Sequence, residues 1–265
     1  TETAVEVVYV CGSIGAAAWL GRWVPGTGND ITDVAGTSGA TLTALTTGLI
    51  DGDVSYFAFG DVDGDTVQLV LFEETTGIVS TTTFELSAMT TSGSASIAYM
   101  LLTGTEEHIY VALDVVTTSD SDDHIALMDI YWNGAAFVQN GVTVAYTAIA
   151  DSFQGGIDWF DDGQAPYVIV TGWSETPADK AGVVLRRNAN AQFGALDTTE
   201  YPSGSNAVEF HGILRRVATE AFYISGMFDT SFTAGAETVT TTGEAGMVFG
   251  ISTADPASTS SFCDA

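Results

Sequence analysis

Positively charged residues are scarce in this sequence of 265 residues. Lysine and arginine together number 6, against 34 aspartates and glutamates, so the formal net charge is −28. Nucleic acid and anionic membrane surfaces both need clustered Lys and Arg, and the sequence therefore argues against either partner. Two interpretations of the acidity stay open. One is adaptation to high salt, which screens the self-repulsion, and the other is binding of multivalent cations.

Long apolar runs are also missing. No window approaches the roughly 18 apolar residues of a transmembrane helix, so no membrane insertion is predicted. Only 15% of the residues are charged, 46% are hydrophobic and the mean hydropathy is +0.24, which excludes a disordered acidic tail. The sequence begins at Thr1 rather than Met, and we expect a secreted or cell-surface protein whose signal peptide has been removed.

Cysteine is limited to two residues, Cys11 and Cys263, near opposite ends of the sequence. An even number of cysteines at the two ends predicts a disulfide that closes the chain on itself in an oxidising compartment. Two unrelated free thiols are the alternative.

Catalytic motifs are lacking. The sequence has no Gly-x-Ser-x-Gly elbow, no Gly-x-x-x-x-Gly-Lys loop and no His-Glu-x-x-His motif. The three histidines, His108, His124 and His211, show no metal-ligand spacing, and ordinary strand positions are expected for them. Paired carboxylates for sugar hydrolysis stay open, because their separation in space decides that chemistry. The sequence favours a protein that is not an enzyme and needs no cofactor.

What the sequence does contain is a repeat of roughly 50 residues. Each copy of the repeat contains a short predicted strand that is rich in Val, Ile, Tyr, Phe and Thr and often ends in glycine. We call these five segments the anchor strands. They are Val8–Gly12, Tyr56–Gly60, Ile109–Ala112, Val168–Gly172 and Phe222–Gly226.

Other predicted strands surround each anchor strand. A second strand ending in a turn follows it, a third often follows that, and a further strand precedes the next anchor. Four strands in a repeat of this length predict an all-β protein, a single β-propeller of five four-stranded blades. The single domain covers residues 1–265, with repeats at roughly 1–40, 41–92, 93–150, 151–204 and 205–265. A two-sheet sandwich and a β-solenoid are the alternatives.

The first repeat has no obvious strand before its anchor. The C-terminal segment Ser260–Ala265 could fill the vacant position beside Val5–Val10, so that the terminal segments close the ring. Cys263 would then lie across from Cys11, at the separation that a disulfide needs.

The fourth and fifth repeats resemble the bacterial β-propeller repeats known as SBBP repeats. The segments that carry the resemblance are Ala165–Gly172 with Gly182–Arg187, and Glu220–Gly226 with Gly246–Ser252. The likeness extends loosely over repeats two to five, although the Asp-x-x-Gly-Asn turn of that family is degraded here. The resemblance implies a secreted or surface propeller and no particular chemistry.

One loop has the composition of a calcium site. Asp61, Asp63 and Asp65 alternate around a glycine before an apolar strand, and carboxylate oxygens are the ligands that calcium prefers. No glutamate stands at the twelfth position, so the loop is not an EF-hand. An ordinary Asp/Gly turn without metal is the alternative.

Two further groups are candidates for binding. Trp132 and Trp173 are the tryptophans expected to be exposed, where they could stack on a glycan, whereas burial between blades is the alternative. The pairs Arg186-Arg187 and Arg215-Arg216 concentrate most of the positive charge and could meet the acidic face of a neighbouring subunit. Pairing with local acids would explain them equally.

Together these features favour a secreted structural or adhesive protein, a subunit of a cell-surface or extracellular assembly such as a filament. Its expected partners are further copies of itself or other surface proteins. The alternative is a propeller that recognises a glycan or a receptor through its loops.

Overall fold

The computed structural model describes most of the chain. The described residues are 8–14, 17–24, 32–38, 41–51, 53–73, 77–102, 106–147, 151–161, 166–176, 179–190, 192–201, 207–216, 221–234, 237–252 and 259–263. Every regular element in these ranges is a β-strand, which confirms the predicted all-β class. A search of the same ranges finds no helix long and apolar enough to cross a membrane.

The strands form five small antiparallel sheets, which follow one another along the chain. The first sheet contains β1 (Val8–Ile14), β2 (Ala17–Trp23) and β3 (Thr32–Ser38). The second contains β4 (Thr41–Ile50), β5 (Asp53–Asp61), β6 (Thr66–Glu73) and β7 (Gly77–Glu85). The third contains β8 (Met89–Leu102), β9 (Glu106–Thr117), β10 (Asp123–Trp132) and β11 (Phe137–Tyr146).

The last two sheets have the same design. The fourth contains β12 (Asp151–Phe160), β13 (Tyr167–Thr176), β14 (Asp179–Asn188) and β15 (Ala195–Tyr201). The fifth contains β16 (Val208–Arg216), β17 (Ala221–Ala234), β18 (Glu237–Ser252) and β19 (Thr259–Cys263). The predicted anchor strands are β1, β5, β9, β13 and β17, and the predicted preceding strands are β4, β8, β12 and β16.

Alternating apolar residues make each inner sheet apolar on both faces, so successive sheets pack face to face. One hydrophobic cluster lies at each of four junctions: first with second, second with third, third with fourth, and fourth with fifth. Within the described ranges, no cluster joins the fifth sheet to the first. The strands β1, β4, β8, β12 and β16 contact one another in that order along the series.

The predicted pairing of the C-terminal segment with β1 is wrong. Strand β19 pairs with β18, where Cys263 lies opposite Val248, and it completes the fifth sheet. In the described part of the first sheet, β1 pairs with β2 alone. The physical reason is local, because β19 follows β18 after a short connection and supplies the fourth strand of its own sheet.

Candidate functional site

The predicted Cys11–Cys263 disulfide is not formed in this structure. Cys11 is a half-buried free thiol, and burial raises its pKa. Cys11 packs with Tyr9 against the apolar cluster between the first and second sheets. A raised pKa disfavours the thiolate, so Cys11 is poorly suited to nucleophilic chemistry at neutral pH.

The loop with Asp61, Asp63 and Asp65 is a tight turn in which the carboxylates of Asp61 and Asp65 accept hydrogen bonds from within the chain. The Asp61 Oδ1 atom accepts hydrogen bonds from the Gly64 amide at 2.9 Å and from the Thr91 hydroxyl at 2.7 Å. Gly64 has a φ of 93°, a conformation that favours glycine. Asp63 and Asp65 are exposed. A search of the described residues finds no group of three or more His, Cys, Asp or Glu that could hold a metal ion, so calcium here stays a prediction.

The two tryptophans predicted to be exposed are half-buried. The Trp132 ring packs on Phe137 with a centroid separation of 4.9 Å, at the edge of the cluster between the second and third sheets. Trp173 lies between Phe153 and His211, with ring centroids 5.4 Å and 5.1 Å away. Both rings therefore serve intramolecular packing in this structure, and glycan stacking through them stays a prediction.

The four arginines that sequence analysis assigned to assembly have different environments. Arg187 is buried, and an assembly contact through it stays a prediction. Its guanidinium donates to the carbonyl oxygens of Asp197 and Ala145, and the latter bond joins the fourth sheet to the third. Arg186 stacks on Tyr167, and Arg215 stacks on Phe160 and Trp159. Arg216 is exposed, and an assembly contact through it stays a prediction.

A cleft of about 250 Å³ opens between the fourth and fifth sheets. Its central group is Lys180, whose amine lies 2.6 Å from Glu209 and 3.3 Å from Glu175. The hydrogen bond to Glu209 raises the pKa of Lys180. The other lining residues are Ala207, Met227, Phe228, Asp229 and Glu244. Sequence analysis missed this cleft, because the residues come from two sheets and no local pattern marks them.

Sequence analysis also missed a buried polar network in the third sheet. The His108 ring contacts Asp129 at 2.7 Å, and the Asn140 amide donates to the other Asp129 oxygen at 2.7 Å. Asp129 is fully buried. Because strands β9, β10 and β11 each contribute one residue, the network ties the sheet together and presents no open face to a substrate.

The series of five sheets has two end faces, and both carry exposed apolar side chains. Tyr9 and Cys11 of β1 point toward the second sheet, so the alternation of a strand places Val8 and Val10 on the opposite, outer face. On the fifth sheet, Leu214 lies on the face away from the fourth sheet, together with Val248. The exposed fractions are 41% for Val8, 68% for Leu214 and 38% for Val248.

The outer edge of β1 differs from the same edge of the other anchor strands. Gly60, Gly172 and Gly226 each lie where the preceding strand bulges, and an added Cβ would overlap a carbonyl oxygen of that strand. Gly12 holds the same place in the first anchor strand, three residues after Tyr9. A Cβ added at Gly12 would meet nothing within 4 Å. Among the described residues, therefore, Gly12 has space for a side chain where the other three glycines have none.

No protein-family model matches the chain, and no match is found among curated proteins.

Proposed function

We propose that this protein is a non-enzymatic structural subunit of an extracellular or cell-surface assembly, built as a propeller-like series of five blades. The observation that carries the proposal is the pair of apolar end faces. At each junction between two successive sheets, one face of the earlier sheet is buried against one face of the later sheet. The outer face of the first sheet carries Val8 and the outer face of the fifth sheet carries Leu214, and both side chains are exposed.

Two complementary ends favour head-to-tail contact between copies. The outer face of the fifth sheet in one copy would pack on the outer face of the first sheet in the next copy, as sheets pack at the inner junctions. Contacts of this kind produce closed rings or open filaments, depending on the rotation per subunit. The resemblance to SBBP repeats is compatible with this role. Ring closure inside one molecule, which would make a closed five-bladed propeller, is the rival arrangement.

The high negative charge makes such association dependent on salt. Copies with a net charge of −28 repel one another at low ionic strength, where the Debye length is about 30 Å at 0.01 M. At about 1 M salt the screening length falls to about 3 Å, and contact between the apolar faces becomes favourable. Assembly should therefore strengthen as salt is added.

The test is negative-stain electron microscopy and sedimentation velocity in high salt. We expect regular oligomers or filaments for the native protein. Leu214→Asp should weaken association at least about 100-fold, because it places a carboxylate in an apolar contact. Leu196→Asp is the matched control, since Leu196 is 43% exposed but lies on β15 of the fourth sheet. A native protein that stays monomeric at high salt and high concentration would contradict the proposal and favour the closed ring.

A second candidate function is ligand binding at the cleft around Lys180. The cleft combines an amine, three carboxylates and the apolar side chains of Met227 and Phe228, a mixture suited to a polar ligand such as a glycan. A glycan-binding screen of the native protein and of Lys180→Gln tests it. Binding that the substitution abolishes would favour this function, whereas binding equal in the two proteins would place the ligand elsewhere.

A further inference from the structure

The second to fifth sheets share one direction. Their first strands β4, β8, β12 and β16 all begin at one rim of the molecule and finish at the opposite rim. Hydrogen bonds between successive sheets join residues at matching ends of their strands: Tyr99 with Leu49, Asp123 with Asp151 and Arg215 with Asp158. Because neighbouring strands within each sheet are antiparallel, every turn belongs to one of these two rims.

The two rims differ in charge. The rim where β14 and β16 finish, which we call the arginine rim, carries Arg186, Arg187, Arg215 and Arg216. The opposite rim, which we call the acidic rim, carries the turns after the anchor strands β5, β9 and β13. Carboxylates in or beside these turns are Asp61, Asp63, Asp65, Asp120, Asp122, Asp123, Glu175 and Asp179. Four of the chain's 6 lysines and arginines therefore lie at the rim opposite these acidic turns.

Two residues of the arginine rim, Arg186 and Arg215, contact aromatic rings instead of carboxylates. The guanidinium carbon of Arg186 lies 4.7 Å from the centroid of Tyr167, and that of Arg215 lies 4.7 Å from the centroid of Phe160. The two rings are 5.4 Å apart, so both arginines belong to one site at the junction of the fourth and fifth sheets. Neither forms an ion pair with a carboxylate of the described residues.

This arrangement leaves hydrogen-bond donors for an acidic partner. Stacking covers the face of a guanidinium, whereas its N–H groups lie in the plane and can bind a carboxylate through two parallel hydrogen bonds. The hydrogen bond that the Arg215 guanidinium makes, to the Trp159 carbonyl, is long at 3.4 Å. The Nε atoms of Arg186 and Arg215 are buried without an acceptor in this structure. In a chain with 34 acidic residues, two such arginines form a site for carboxylates.

We propose that the arginine rim of one copy binds the Asp61–Asp65 turn at the acidic rim of a second copy. Asp63 and Asp65 are exposed, and Asp63 has no hydrogen bond or ion pair among the described residues. The hydrogen bonds that Asp61 accepts hold the turn, so it presents these carboxylates on a fixed backbone. Charge complementarity favours this contact.

Other carboxylates of the acidic rim already have partners within the chain. Asp120 accepts hydrogen bonds from His124 and Thr117, and Glu175 lies 3.3 Å from the Lys180 amine. The Asp61–Asp65 turn is therefore the better occupant of the arginine site.

The contact joins two different surfaces, so its repetition stacks copies into an open filament or a closed ring. It rests on the proposed self-association and adds a second contact to the one between the outer faces of the first and fifth sheets. Bringing opposite charges together also offsets part of the repulsion between copies that each carry a net charge of −28.

Carbodiimide crosslinking of Arg215→Lys tests the contact, because the reagent joins an amine to a carboxylate that touches it. Lys180 is the one native lysine, so the introduced amine is easily distinguished. In assemblies mixed from ¹⁵N-labelled and unlabelled protein, mass spectrometry should find an amide between copies, from the introduced amine to Asp63 or Asp65. Arg186→Lys gives a second reading of the same site.

Matched variants control the crosslink. Adding Asp63→Asn with Asp65→Asn should reduce the yield at least tenfold, whereas Asp120→Asn with Asp122→Asn, at the same rim, should leave it unchanged. Thr83→Lys places an amine at an exposed position in the middle of β7 and should give no link to the Asp61–Asp65 turn of another copy.

The outcomes separate this inference from the proposed function. A link between copies that is lost with the Asp63 and Asp65 carboxylates supports it. No link from either introduced lysine, a link within one chain, or a link between copies at a carboxylate outside the turn overturns it. Assemblies that persist in Arg215→Gln and disappear in Leu214→Asp would preserve the proposed function while this inference fails.

Discussion

The first sheet and the fourth sheet show the same short motif in two different settings. In the fourth sheet, Gly172 ends an anchor strand against the bulged strand β12, and there is no space for a side chain. In the first sheet, Gly12 ends the equivalent anchor strand, and a Cβ added there would meet nothing within 4 Å. Glycine is therefore required for packing at one of these positions, whereas the other has space for a side chain. Whether a repeated glycine is required for packing depends on the strand beside it.

Replacing each of the two glycines by alanine should give the largest difference in stability between the two settings. Gly172→Ala should lower the free energy of unfolding by about 3 kcal/mol, because the Cβ would overlap the Phe153 carbonyl and force the backbone to move. Gly12→Ala should change it by less than about 0.5 kcal/mol. Denaturation in urea, under conditions where the protein is monomeric, measures both. Equal losses would mean that the edge of β1 is as enclosed as that of β13.

A smaller effect, on the pKa values of tyrosines, distinguishes the buried junctions between sheets from the exposed end faces. Burial raises the pKa of Tyr146, in the third sheet, to about 12, and the hydrogen bond from its hydroxyl to Glu200 of the fourth sheet adds to this. Burial also raises the pKa of Tyr201, which packs at the junction of the fourth and fifth sheets, to about 12. Because folding favours the neutral phenols, their stabilising contribution is complete below about pH 10 and is lost as the pH rises toward 12.

An absorbance titration of tyrosinate checks this expectation. Two tyrosines should ionise about two pH units above the ordinary value for a phenol, and Tyr146→Phe and Tyr201→Phe should each remove one of them. If neither substitution alters the high-pH part of the curve, these junctions are more open to water than the structure shows.

The strands that could be predicted from the sequence are those whose own residues are typical of a β-strand. The anchor strands and the strands before them are rich in Val, Ile, Phe and Tyr and end in turns, and the structure confirms them. The strands β3 and β15 were not predicted, and β19 was predicted beside β1 rather than beside β18. Their sequences, such as Thr32–Ser38 and Thr259–Cys263, are rich in Thr, Ser and Gly or are short, and they form strands because a neighbouring edge is available.

Features that depend on long-range pairing could not be predicted from the sequence. Which edge β19 would join was open, and the choice of β1 was wrong because its own sheet offered a nearer edge. The arginine pair in β14 gave no sign that Arg187 would be buried at the third sheet. The cleft around Lys180 likewise combines two sheets that no local pattern connects.

Hydrogen exchange in β1 tests the central claim most directly, namely that association covers the outer face of the first sheet, which is open in a single molecule. Exchange should be followed by mass spectrometry in peptides covering Val8–Ile14 and Asp53–Asp61, in dilute low-salt solution and in the assembled state at high salt. We predict that β1 exchanges at least about tenfold faster than β5 in the dilute state and becomes as slow as β5 in the assembly. Equally slow exchange of β1 and β5 in a monomeric sample would contradict the account, because the outer face of the first sheet would then already be covered within one molecule.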